Sequence, residues 1–140
     1  MTGSDTRIVL VHGTGLEVAV QGTGEPVVLI QTALTAREFL PLATQPAMAS
    51  FQVVRYHRRG YAGSGAVTGP GSIERDAADC AALLAALGIP RAHVVGVSYS
   101  GAVALQLAAD MPDRVHSLTL LEPLPCGLPA PRSSSRRTKR

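Results

Sequence analysis

At 140 residues, 46% of them apolar and 16% charged, the chain is long enough to bury a core and too short for more than one domain. No apolar run reaches membrane-spanning length, and the first seven residues lack the basic start and apolar stretch of a secretory signal. The formal charge of +3 belongs to the end of the chain, because Arg132, Arg136, Arg137, Lys139 and Arg140 leave residues 1–131 with eight basic against ten acidic side chains.

A basic end of this kind binds phosphates by counterion release, but the expected reading is a solvated tail and no nucleic-acid partner. Two cysteines, Cys80 in a predicted helix and Cys126 in a Pro/Gly segment, suggest neither a disulfide framework nor a metal site. No cofactor is expected, and the cytoplasm is the expected compartment.

In chain order, Arg7 to Val11 and Leu16 to Val20 read as two β-branched strands joined by His12-Gly13-Thr14-Gly15, a glycine-rich hairpin turn. Neither Gly13-x-Gly15 nor Gly22-x-Gly24 runs on to a third glycine and a helix, so a dinucleotide fingerprint is not supported. Val27-Val28-Leu29-Ile30 is a short, wholly apolar strand suited to the middle of a parallel sheet. A helix is predicted from Thr35 to about Leu42, with Pro41 and Pro46 blurring its end. Phe51 to Tyr56 is the next strand, and residues 57–65 form a glycine-punctuated loop beyond it.

Ser72 is placed to cap a helix from Ile73 to Leu87, ended by Gly88. Ile73, Ala77, Cys80, Leu84 and Leu87 fall at spacings of three and four, one apolar stripe to lay on a sheet. His93 to Val97 is a strand, a helix follows to about Asp110, Pro112 stops it, and Val115 to Leu121 is a further strand. Such alternation predicts an α/β fold: a mostly parallel sheet of about six strands with helices on both faces. Periodicity ends at Glu122, and residues 123–140, rich in Pro, Ser and Arg, are expected to be irregular or disordered.

The chemistry-bearing stretch is Gly96-Val97-Ser98-Tyr99-Ser100-Gly101, where a strand turns straight into a helix. A G-x-S-x-small sequence in that context is a nucleophile elbow: the central serine is held in a strained backbone conformation and its hydroxyl stands clear of the sheet. The positions two before and two after must be small because backbone meets backbone there. Here they are Gly96 and Ser100, the latter in place of the usual second glycine. The plain alternative is a polar strand-to-helix turn.

The order of these signals resembles the α/β-hydrolase family, in its compact single-domain esterase, haloperoxidase and dehalogenase-like branch. The similarity runs from about Arg7 to Pro123. It rests on the opening hairpin, on Pro26-Val27-Val28-Leu29-Ile30, on Tyr56-His57-Arg58-Arg59-Gly60-Tyr61-Ala62-Gly63-Ser64, and on His93 to Gly101. The resemblance implies that Ser98 is the nucleophile and that the Tyr99 backbone N–H is one oxyanion donor. The second donor would lie in the loop after the third strand. There the family often has His-Gly-x and this chain has Gln31-Thr32-Ala33, which points to the N–H of Ala33. Glu122 closes the strand after the nucleophile helix, where some members of the branch place their triad acid; the alternative is a plain strand-end glutamate. A serine at position 98 disfavours dehalogenation and epoxide opening, which attack through a carboxylate.

Acyl transfer also needs a base beside Ser98, which the family supplies from a histidine after the last strand. His116 falls near the start of the last predicted strand, on the sheet edge opposite the site, and His12 falls in the hairpin turn. His93 is about 15 Å from Ser98 by strand rise. His57 is on the right edge, but it occupies a position where relatives often carry a loop-bracing aspartate, so a structural role is expected. Residues 1–122 thus read as a truncated hydrolase domain, and residues 123–140 as a tail such as a truncation or frame shift would leave. Two expectations stand: a serine hydrolase acting on a small ester or related acyl substrate, weakly active or inactive as this chain; or a non-catalytic remnant that self-associates through an open sheet edge.

Overall fold

A computed structural model describes residues 6–32 and 36–122. β1 (Thr6–Val11) and β2 (Thr14–Gln21) form an antiparallel hairpin. Its turn is tighter than the sequence suggests. Only His12 and Gly13 bridge it, with φ of 45° and 75°, and Thr14 and Gly15 already pair with Val11 and Leu10. Positive φ at both central residues is the turn whose twist matches the strands it joins.

β2 runs antiparallel to β4 (Phe51–Tyr56). From β4 onward the sheet is parallel through β3 (Glu25–Ile30), β5 (Ala92–Val97) and β6 (Val115–Leu121), giving the order β1-β2-β4-β3-β5-β6. β3 is central, and Val27, Val28, Leu29 and Ile30 are all buried, as an unbroken apolar run in a two-sided sheet requires.

Alternation along β3 divides the core. Val28 and Ile30 join Val54, Tyr56 and Val94 beneath α2 (Ile73–Ala86) and α3 (Tyr99–Asp110). Val27 and Leu29 face the other way with Val53, against Phe39 and Ala43. That second cover is a 3-10 turn, Ala36–Phe39, continued by α1 (Leu40–Ala43), where a longer regular helix was predicted. Pro41 lacks an N–H and restricts the ladder, and the N–H and hydroxyl of Thr44 close the turn on the Leu40 carbonyl at 3.0 and 2.8 Å.

The Ile73 helix begins as predicted, with Ser72 Oγ accepting from the Arg75 N–H at 3.2 Å. Its stripe of Ala77, Cys80 and Leu84 is buried, with Ile73 and Leu87 packed at the margin. Burial pushes the Cys80 thiol up to about 12, so it behaves as an inert core side chain. β6 is the outer strand of the described sheet, and His116, Ser117, Thr119 and Leu121 along it are exposed. Cys126 and the Pro/Ser/Arg segment lie outside the described residues.

Candidate functional site

At the carboxyl end of β5 the chain passes into α3 with a single residue between them, Ser98. Its backbone has φ 52° and ψ −116°, a combination costly for any residue with a Cβ. Three contacts impose it. The Ser98 N–H donates to the Leu121 carbonyl of β6 at 3.0 Å, and the Ser98 carbonyl accepts from the Gly101 N–H at 3.0 Å. Ser100 is fully buried, and its hydroxyl accepts from the Val97 N–H at 2.8 Å and donates to the Val97 carbonyl at 3.0 Å. The serine in place of a second glycine therefore ties off the end of β5. Gly96 is obligatory: a Cβ there would lie 2.8 Å from Gly101 Cα and would collide with the Ser100 carbonyl oxygen.

The predicted site residues gather unevenly. Tyr99 opens α3 directly after Ser98, so its N–H belongs to the first turn, where no intrahelical acceptor exists. Glu122 follows Leu121, the register partner of Val97, and so stands beside Ser98 at the neighbouring strand end, exposed and with φ 44°. Ala33 lies outside the described residues. Its neighbour Thr32 gives its N–H to Glu38 Oε1 at 2.6 Å and its hydroxyl to Glu38 Oε2, so the Thr32 N–H is already committed.

Arg58 connects these parts, and the sequence reading assigned it no role. Its N–H donates to Gln31 Oε1 at 2.6 Å, its Nε to the Gln31 carbonyl at 2.8 Å and its Nη2 to the Thr32 carbonyl. Nη1 reaches Asp76 Oδ2 on α2 at 2.8 Å, within a pair that is 6% and 4% exposed. The guanidinium lies 4.8 and 4.5 Å from the ring centroids of Tyr61 and Tyr99. The Tyr99 hydroxyl donates to Asp76 at 2.8 Å, and burial together with that bond pushes its phenol up to about 12. Arg59 forms a fork on Asp79, one turn along α2, at 3.0 Å twice. A cleft of about 730 Å³ borders this cluster and is lined by Arg58, Tyr61, Asp76 and Tyr99 among others; Ser98 is not part of its wall. The missed signal was the position of Asp76 and Asp79 beside the apolar stripe, where an acid demands a cation.

None of the chain's four histidines is brought to Ser98. His12 sits in the hairpin turn with Nδ1 3.3 Å from Asp79. His57 directly follows β4, which lies two strand spacings or about 10 Å from β5. Its Nδ1 lies 3.6 Å from Glu17 Oε2 of β2, and its carbonyl accepts from Ser64 Oγ at 2.7 Å. His93 and His116 lie at the starts of β5 and β6, on the opposite sheet edge.

The profile of the family described as alpha/beta hydrolase fold matches residues 6–139. RutD of Azorhizobium caulinodans, named a candidate carbamate hydrolase, is 34% identical over 112 residues, which are 79% of this chain and 42% of that protein. Among solved structures, Est816, described as an N-acyl homoserine lactone degrading enzyme, superposes with a TM-score of 0.76 at 29% identity, over 84% of this chain and 45% of that one. The enol-lactonase from Burkholderia xenovorans gives 0.74 at 29% identity, over 80% and 45%. The chain thus spans less than half the length of these relatives.

Proposed function

Because the chain belongs to the α/β-hydrolase family, we propose that it carries the nucleophilic half of a serine hydrolase for small acyl substrates, with Ser98 as nucleophile. The observation that carries this reading is the strained Ser98 backbone, φ 52° and ψ −116°, at a strand-to-helix junction; strain of this kind persists where function keeps it. Ser98 Oγ adds to the acyl carbonyl as its proton passes to water or an added base, the bond from the acyl carbon to the leaving oxygen or nitrogen breaks as that group takes up a proton, and an acyl-serine remains for water to hydrolyse. The oxyanion is received by the N–H of Tyr99 at the positive end of α3, with that of Ala33 as second donor. Glu122 is the acid for an incoming imidazole. The relatives described as acting on carbamates and lactones support substrates whose acyl carbon bears a small oxygen or nitrogen leaving group.

None of the four histidines stands beside Ser98 to act as base, so this chain turns over slowly by itself. A positioned base is worth about 10²–10⁴-fold. A fluorophosphonate probe tests the reading: slow labelling at Ser98, faster with added imidazole, and none in Ser98→Ala. No labelling under either condition, or labelling that survives the substitution, would overturn it. A second reading, a non-catalytic module that self-associates, is favoured by the exposed outer strand β6.

A further inference from the structure

On the sheet edge opposite Ser98, three side chains from three neighbouring strands converge. Glu25 opens β3, His93 is the second residue of β5 and His116 the second of β6. β5 pairs in parallel with both β3 and β6, so the three strand starts lie side by side. A register shift makes the grouping possible. Ala92 pairs with Val115 but His93 pairs with Ser117, leaving His116 as an extra residue in β6. In a regular strand His116 and Ser117 would point to opposite faces. A bulge relaxes that alternation and re-aims the extra side chain. The His116 ring accordingly stands edge-on to His93, with centroids 4.6 Å apart.

We propose that Glu25, His93 and His116 form a binding site for a divalent transition-metal ion, with Zn²⁺ as the occupant to test. One ligand atom from each residue lies within 4.8 Å of the other two. His93 Nε2 and Glu25 Oε2 are 3.2 Å apart. Tetrahedral zinc, with bonds of about 2.0–2.1 Å, holds its ligand atoms roughly 3.3 Å from one another, so that pair already has the required separation. His116 is exposed and closes the remainder by a side-chain adjustment.

The ring of His93 is oriented for the purpose. Its Nδ1 sits 2.6 Å from Ser117 Oγ, so an Nδ1–H donated to that hydroxyl leaves the Nε2 lone pair facing Glu25. Fixing one ring nitrogen so that the other binds metal is the usual arrangement around protein-bound zinc. Two imidazoles and a carboxylate suit Zn²⁺, Ni²⁺ or Cu²⁺ over Mg²⁺ or Ca²⁺, and three protein ligands leave a fourth position for water. The cysteine count gave no sign of such a site, because its ligands are spread over positions 25, 93 and 116.

Calorimetric titration of the chelator-stripped full chain with Zn²⁺ is the test. One equivalent should bind, and affinity should fall by about tenfold or more in His116→Ala and in Glu25→Gln. Both residues are exposed, so both variants are expected to keep the wild-type circular dichroism. Zn²⁺ should raise the thermal midpoint of the wild type and not that of either variant, since only a native-state site is stabilised by its ligand. Ser117→Ala should give an intermediate affinity. Absence of saturable binding to the wild type, or binding unchanged by both His116→Ala and Glu25→Gln, would overturn the proposal.

Discussion

Ser98 holds a conformation that glycine would take without strain. Its Cβ is therefore a thermodynamic burden at that position. Ser98→Gly should raise stability in urea by about 1 kcal/mol while abolishing fluorophosphonate labelling; a variant less stable than the wild type would mean that the side chain supports the bend. Tyr99 and Cys80 make a separate prediction. Both have folded-state values of about 12, raised chiefly by burial from ordinary values of 10.0 and 9.0. In the unfolded chain these groups ionise first, so the stability they contribute is complete below pH 9. It is lost as pH rises from about 9 through 12. The urea midpoint should fall steadily above pH 9, and Tyr99→Phe should flatten the part of the decline above pH 10.

At the scale of elements, α2 does more than cover the sheet. Asp76 and Asp79 project from one face and hold Arg58 and Arg59, and Arg58 in turn grips the Gln31 and Thr32 carbonyls. The helix thereby positions the segment leading to Ala33. Arg58→Ala leaves Asp76 charged and buried without its cation, a loss of about 3–5 kcal/mol, which chemical denaturation should register. Arg58→Lys keeps the charge but not the fork; it should slow labelling of Ser98 more than it lowers stability. The sequence showed that α2 exists, where it starts and which stripe it buries, because caps and apolar spacing are local. It did not show the Arg58 hub, since Gln31, Arg58 and Asp76 come from three separated segments and meet only once the sheet order is fixed. The same limit explains α1. A helical stretch ending at about Leu42 was legible, but whether Pro41 shortens a helix or merely sits in its first turn depends on what Phe39 and Ala43 pack against. The bend at Ser98 was legible because Gly96, Ser100 and Gly101 lie within six positions, whereas its brace from the Leu121 carbonyl of β6 was not. The β6 bulge was not, being a relation between two strands.

Across the whole molecule, the two sides of the sheet are unequally covered. α2 and α3 seal one side, whereas among the described residues Phe39, Ala43, Met48 and their short turns close the other, over β3 and β4. Beyond them, Thr119 and Leu121 of β6 stay exposed, Leu121 at 50%. The outer edge of such a strand presents N–H and carbonyl groups to any extended partner, and a second copy of the chain is the partner always present. Sedimentation velocity should therefore show a weight-average coefficient that rises with concentration. A lysine at an exposed position of an edge strand opposes pairing, because its charge is buried when a partner adds. Thr119→Lys should accordingly return the coefficient to the monomer value without altering circular dichroism. His116→Ala, which leaves the β6 backbone in place, should not. A wild-type coefficient that is independent of concentration would remove the ground for self-association and leave the acyl-transfer reading as the sole account of the fold.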